Sequence, residues 1–277
     1  MSAQGDSVTA GEPLLQLRGV SKTFGAVHAL TGVDLDVPAA QVTALAGDNG
    51  AGKSVLVKTI AGLWGPDEGQ VLWLGRPIHP RGPKEAEELG ITTIYQDLAL
   101  CDNLDIVQNM FLGHEARRRG FLDESTMEIA ARKTLKDLSV TTVRSIRQPV
   151  ASLSGGQRQS VAVAKAVMSH AKLVIMDEPT AALGVAQTKM VLDLIKRLSG
   201  EGVAVLMISH NFNDVFKVAD RVAILYLGQM VATGPVSDFD PQVVVDYMTT
   251  GRSTRHSDDD GSDEQPQPEP TESPERN

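Results

Sequence analysis

The run VTALAGDNGAGKSVLVKTIAGLW, Val42–Trp64, decides the fold. It opens on an apolar, strand-like segment, VTALA. It passes through a glycine-rich loop, Gly47–Ser54, and closes on SVLVKTIAGLW, whose apolar residues recur at helical spacing. Glycine, four residues, then Gly-Lys-Ser between a strand and a helix is the pattern of a loop that cradles phosphate. Gly50 and Gly52 carry no Cβ, so backbone N–H groups can turn inward around phosphate oxygens. Lys53 offers a compact cation to the outer phosphates, and Ser54 a hydroxyl to Mg²⁺. The residues expected around the phosphates are Gly47, Asp48, Asn49, Gly50, Ala51, Gly52, Lys53, Ser54 and Val55.

Outward from this loop, apolar runs alternate with helical patterns. LLQLRGV, VDLDV and QVTALAG read as strands within residues 14–47, and EGQVLWLG and ITTIYQ follow. KLVIMD, GVAVLMIS and RVAILYLG are apolar throughout, as strands buried on both faces are. TKMVLDLIKRL and NDVFKVA, between them, have helical spacing. Strands alternating with helices predict an α/β protein with a mostly parallel, covered sheet. The stretch from about Asp97 to Val150 is richer in helix formers, as in TMEIAARKTLKDL, and is expected to be a helical insert. Trp64 and Trp73 read as packing residues, and Arg117–Arg119 as a solvated surface run.

LVIMD places Asp177 at the carboxyl end of a parallel strand, where ligands gather in such sheets. An acid there can hold the Mg²⁺ that Ser54 touches. Glu178, directly after it, can orient and deprotonate an attacking water. The blander reading makes the pair a helix cap and a solvated acid. A second anion site is suggested by LSGGQRQ, Leu153–Gln159, which runs into the helical SVAVAKAVMSH. Serine and two glycines opening a helix leave N–H groups free at the positive end of the dipole. Two such sites so far apart in one chain make sense if two copies complete each other's site in a symmetric dimer. An ordinary serine-capped helix is the alternative.

The 277 residues are 42% hydrophobic and 22% charged, an ordinary globular balance, with a single cysteine, Cys101. One cysteine allows no intrachain disulfide and fits a reducing compartment. Aromatics are only 4%, which points to an aliphatic core. No window approaches the ~20 apolar residues that span a bilayer, and MSAQGDSVTAGEP does not read as a secretory signal. A membrane role would therefore need another chain. From Arg252 onward three Arg stand against eight Asp and Glu, a net of −5 that leaves −4 of the total −9 for the rest. That tail has no hydrophobic residue and is expected to be disordered. The acidic balance argues against a nucleic-acid partner.

GDNGAGKS, LSGGQRQ and LVIMDEPT, in this order, resemble the ATP-binding subunit of an ABC transporter, and the similarity covers about residues 12–250. The resemblance implies a P-loop NTPase fold of the ABC ATPase type. Its parts would be a mostly parallel core sheet, an N-terminal antiparallel β subdomain and a helical subdomain over about 97–165. Disordered ends at 1–11 and 251–277 would flank it. It implies ATP and Mg²⁺ as the bound groups and a head-to-tail pair of cassettes. Each ATP would lie on one P-loop and be capped by Ser154, Gly155, Gly156 and Gln157 of the other copy. Gln96 matches the glutamine that looks toward Mg²⁺ and the water. His210 matches the switch histidine at the γ-phosphate, and Phe24 in SKTFGAVHAL the aromatic that stacks on adenine, though an edge-strand packing role is also open to it. The implied catalytic set is Glu178, His210 and Gln96, and the implied metal set is Ser54, Gln96 and Asp177. Two positions depart from the pattern: Val55 stands where threonine is usual, and Gly184 where many cassettes carry aspartate.

GDNGAGKS, YQDLALCDNLDIVQNMFLG and TAALGV look like cassettes of bacterial sugar importers of the ribose, xylose and fructose type. Those often fuse two cassettes. One cassette here implies a homodimer at the cytoplasmic face of the membrane. Its expected partners are permease subunits and, indirectly, an extracytoplasmic solute-binding protein. Rival readings are a soluble ABC ATPase in repair, cluster assembly or translation, a cassette for another solute, and a regulatory cassette without catalysis. The gap before LSGGQ holds neither heptads nor Cys pairs, which disfavours repair.

Overall fold

A computed structural model describes residues 9–140 and 142–252. The ends expected to be disordered, 1–11 and 251–277, lie outside the described residues apart from 9–11 and 251–252. The chain begins with a long antiparallel hairpin, β1 (Pro13–Phe24) and β2 (Val27–Pro38), then enters β3 (Val42–Ala46) and α1 (Lys53–Ile60). β4 (Glu68–Trp73) and β5 (Arg76–Ile78) return beside β1, which gives a four-stranded antiparallel sheet ordered β2-β1-β4-β5. A short helix α2 (Pro83–Glu88) leads to β6 (Ile91–Ile94). The insert follows as α3 (Ile106–Phe111), a small hairpin of β7 (Arg117–Arg118) and β8 (Phe121–Leu122), α4 (Glu124–Asp137) and α5 (Gly155–Met168). The chain re-enters the main sheet through β9 (Leu173–Asp177), α6 (Val185–Gly200), β10 (Ala204–Ile208), α7 (Phe212–Val218) and β11 (Arg221–Tyr226). It closes with β12 (Gln229–Pro235) and α8 (Pro241–Thr250).

Among the described residues the main sheet has six strands ordered β12-β11-β3-β10-β9-β6, parallel except for edge strand β12. Its strands are apolar on both faces because both faces are covered. Side chains alternate across a strand, and the core divides accordingly. Val42, Ala44, Val174, Met176, Val205, Met207, Val222 and Ile224 face one cluster, shared with α3–α8. Leu45, Leu173, Ile175, Leu206, Ile208, Ala223 and Leu225 face the other, shared with α1 and the antiparallel sheet. Each such Leu or Ile contributes roughly 1.5–3 kcal/mol by its burial.

The α/β architecture with a mostly parallel core is as read from the residues, and the N-terminal antiparallel sheet is as the resemblance implies. Several details differ. β1 runs four residues past the apolar stretch, through SKTF, because backbone pairing with β2 and Asp67 carries it beyond the buried part. β5, α2, β12 and α8 were not foreseen; they are short or half-buried and carry little periodic signal. The insert is not purely helical, since it holds the β7–β8 hairpin, where Arg117 and Arg118 are exposed as expected. Trp73 belongs to a core cluster. Trp64 belongs to neither and is half-buried.

Candidate functional site

Parallel strands bring their carboxyl ends to one edge of the sheet. In register, Ile208 of β10 lies opposite both Leu45 of β3 and Asp177 of β9, and Ile94 of β6 lies opposite Met176. The residues that follow these ends converge on a cavity of about 640 Å³. Asn49, Gly50, Gly52, Lys53, Ser54 and Val55 line it from the glycine loop and α1, Gln96 from the end of β6, and Asp177 and Glu178 from β9. Phe24 lines it from the tip of the first hairpin.

The loop's glycines answer to two demands. Gly50, which lines the cavity, has φ +83° and open space where a Cβ would stand, so what it needs is glycine's backbone freedom. Gly47 and Gly52 are crowded by protein instead: a Cβ would meet the Leu225 carbonyl oxygen at 2.5 Å and that of Ala29 at 2.6 Å. Gly47, Asp48 and Ala51 do not line the cavity; they shape the loop. The Asp48 side chain accepts from the Asn49 N–H at 2.7 Å, and the Ala51 N–H donates to the Asp48 carbonyl at 3.1 Å. No side chain caps the N-terminus of α1, unlike α3, α4, α5 and α8, whose caps are Asp105, Asp123, Ser154 and Asp240. The first N–H groups of α1 thus face the cavity with the positive end of the dipole.

The Lys53 ammonium is buried and donates to the Gly47 and Asp48 carbonyls at 2.7 and 2.9 Å. Burial pushes its pKa down, against the charges of Glu178, Asp48 and Asp177. Burial pushes the Asp177 carboxyl up, and the Glu178 charge adds to that, while Lys53 and Lys58 oppose it. Val55, at the position where a hydroxyl was expected, packs against the core cluster under α1. Glu178 sits in the left-handed region at φ +50°, which costs a non-glycine residue on the order of 1–3 kcal/mol. Its N–H donates to Ile208 at 3.0 Å, and its Oε1 lies 2.7 Å from His210 Nδ1. That contact joins residues 32 apart in sequence and no local pattern announces it.

Asp177 carries a consequence for stability. Its folded carboxyl holds a proton more tightly than an ordinary aspartate of pKa 3.8. The folded state then binds more protons just above that value, so the group's contribution to stability falls as pH rises through the window and stays unfavourable at neutral pH. Asp177→Asn is expected to raise the Tm of the nucleotide-free chain at pH 7 and to flatten its acid dependence. Thermal melts between pH 4 and 8 check this, and an unchanged profile contradicts it.

The LSGGQ segment is elsewhere. Ser154 caps α5: its Oγ accepts from the Gln157 N–H at 3.4 Å, and Gln157 Oε1 accepts from the Ser154 N–H at 2.9 Å. Gln157 also donates to the Thr142 carbonyl at 2.6 Å. Ser154 and Gly155 are exposed. A Cβ on Gly155 would meet the end of the Leu183 side chain at 2.8 Å, and one on Gly156 the end of Met190 at 2.7 Å, flexible tips that can move aside more readily than the backbone oxygens beside Gly47 and Gly52. Gly184, the other departure, has open space at its Cβ position and precedes α6, where the Gln187 side chain accepts its N–H at 3.3 Å. None of the four signature residues lines the cavity of its own chain. Sequence reading missed Val27, His28, Ala29, Leu227 and Gly228, which also line it. Their signal is tertiary: the return strand of Phe24's hairpin and the β11–β12 turn close the cavity's mouth.

A glycine loop opening an uncapped helix, with acids at a neighbouring strand end of a parallel sheet, defines a P-loop nucleotide-hydrolysing protein. Comparison narrows the class. Residues 30–181 match the family described as ABC transporter. The chain is 46% identical to the fructose import ATP-binding protein of Rhizobium meliloti, over 87% of this chain and 95% of that one. It is 43% identical to the xylose/arabinose import ATP-binding protein of Sulfolobus acidocaldarius, over 86% and 94%. A ribose import ATP-binding protein of Rubrobacter xylanophilus is 42% identical over 87% of this chain but only 48% of its own length. Among solved structures, an ATP-binding cassette of an ABC transporter superposes with a TM-score of 0.77 at 26% identity, covering 87% of this chain and 98% of that one. A dimeric cassette bound to ADP and Pi superposes at 0.68 and 25% identity, covering 80% and 98%. The chain belongs to the ABC transporter family, as an ATP-binding, ATP-hydrolysing subunit. No helix among the described residues is long and apolar enough to cross a membrane.

Proposed function

We propose that this chain energises a bacterial sugar importer from the cytoplasmic face of the membrane, as one of two identical cassettes beneath a permease. The observation that carries the reading is near full-length similarity to single-cassette proteins named for fructose and for xylose and arabinose import. The ribose relatives are about twice as long, which is consistent with two copies of this chain doing what one such chain does.

Ser54, Gln96 and Asp177 bring hard oxygen donors into one cavity, the donor type Mg²⁺ takes. Asp177, half-buried and reluctant to ionise, is a carboxylate whose charge a divalent ion would relieve. Bound there, Mg²⁺ would offset charge on the phosphates. ATP would lie along the loop, with Lys53 exchanging its backbone carbonyls for the outer phosphates and Phe24 against the base. Ser154, Gly155, Gly156 and Gln157 of the second copy, the first two exposed in the single chain, would cap it; dimeric cassette structures support such a pair. Glu178 would take the proton of a water whose oxygen attacks the γ-phosphorus. The bond to the β-phosphate oxygen breaks and ADP leaves with its electron pair. His210, 2.7 Å away, would hold Glu178 in aim and meet the γ-phosphate.

Closure of the pair would move the segment Gln96–Glu115. A groove of about 350 Å³ between α2, α3 and α5, lined by Met110, Phe111, His114 and Met168, offers a permease helix a seat beside it. The nucleotide then biases a two-state element. The test is affinity capture of the tagged chain from detergent-solubilised membranes with mass spectrometry. Recovery of a polytopic permease, with an extracytoplasmic sugar-binding protein, is expected. A chain found free of any membrane protein would overturn the importer reading and leave the ATPase.

A further inference from the structure

We infer that Trp64 is a positioning residue for the adenine site: it holds the Phe24 ring at a set place relative to the phosphate loop. The inference rests on the reading of Phe24 as the surface that stacks on the base. The two rings lie 4.8 Å apart, centroid to centroid, at 69°, the edge-on geometry that aromatic pairs favour. Neither ring belongs to either core cluster. Phe24 stands at the tip of a hairpin, 38% exposed, with only the exposed Val27 opposite it in register. A ring so placed depends on lateral contacts for its position, and Trp64 supplies the aromatic one.

The loop that carries Trp64 is braced on both sides. Leu63 and Trp64 N–H groups donate to the Lys58 carbonyl, and the Lys58 ammonium lies 4.9 Å from the indole. Asp67, three residues on, accepts from Lys22 and from the Thr23 N–H, both at 2.7 Å, while its own N–H donates to Ser21. Lys22 in turn lies 5.6 Å from the centre of the Phe24 ring. The end of β1 is thereby tied to the loop that leaves α1. That helix starts at Lys53 and Ser54 and spans roughly 12 Å at 1.5 Å per residue. One rigid rod thus sets the phosphate loop at one end and, through Trp64, the base-stacking ring at the other. Trp64 does not line the cavity itself, so its effect passes through Phe24.

The test is binding of Mg·ATP and of Mg·tripolyphosphate, which lacks the base, to the full-length chain. Native protein is compared with Trp64→Ala, Trp64→Phe and Phe24→Ala. Loss of an aromatic pair of ordinary strength predicts that Trp64→Ala weakens ATP about three- to tenfold, leaves tripolyphosphate unchanged, and is rescued by Trp64→Phe. Trp73 is buried in the core, so in the native chain a change of indole emission with ATP and not with tripolyphosphate is expected from Trp64. Should Trp64→Ala bind ATP as the native chain does while Phe24→Ala does not, the inference fails and the reading of Phe24 stands. Equal weakening of both ligands by Trp64→Ala makes Trp64 a general structural residue and also overturns it. Native ATP affinity in Phe24→Ala removes the reading on which it rests.

Discussion

Glu178→Gln is expected to bind Mg·ATP as tightly as the native chain, to hydrolyse it about 10²–10⁴-fold more slowly, and to accumulate as a dimer when ATP is present. The substitution keeps size and hydrogen-bonding reach, so the Ile208 anchor and the neighbourhood of His210 persist. On the proposed mechanism it removes the carboxylate that would receive the water's proton. The backbone there is already left-handed at φ +50°, and glutamine meets the same strain as glutamate, so the fold should survive. If turnover is the barrier to reopening, a chain that cannot turn over should be trapped closed. Single-turnover hydrolysis and size-exclusion chromatography with and without ATP check both halves. Native-rate hydrolysis would remove Glu178 from the role of base.

Lys53→Ala is expected to lose ATP affinity by about 10²-fold or more, since hydrogen bonds to charged groups are each worth roughly 1.5–3 kcal/mol and Lys53 offers several donors. Its ammonium spends the nucleotide-free state on the Gly47 and Asp48 carbonyls. It also offsets the charges of Asp177 and Glu178. Without it, the Asp177 carboxyl should become still harder to ionise, which would compound the loss at the proposed Mg²⁺ side. Calorimetric titration with Mg·ATP measures the effect. An unchanged Kd would contradict the phosphate-loop assignment.

Much of this was legible in the chain because the signals are local. The parallel strands announced themselves as apolar runs, and the loop from Gly47 to Ser54 as a spaced motif between a strand and a helix. The acids at 177 and 178 followed from a strand end. Short elements with half-buried faces, such as β5, β12 and α2, left no period to read. The hairpin at Arg117–Leu122 was hidden among helix formers. Trp64 read as packing, since a lone tryptophan has no signature of what it faces. Its partner Phe24 lies 40 residues away in the chain, with β2, β3 and α1 between them.

The sequence by itself determined which chemistry the chain carries: a phosphate loop, two adjacent acids at a buried strand's end, a second glycine-opened helix, and the family in which these occur together. Spacing and residue type suffice for that, because each motif acts through backbone geometry or charge within a few positions. How the motifs meet comes from the packed fold. It set Glu178 against His210 and aimed Asp177 and Gln96 into one cavity. It gave Gly47, Gly52, Gly155 and Gly156 their crowding neighbours. It also left the signature residues outside the lining of the chain's own cavity. Those contacts depend on strand order and helix packing, which arise from burial summed over the whole core rather than from any local run.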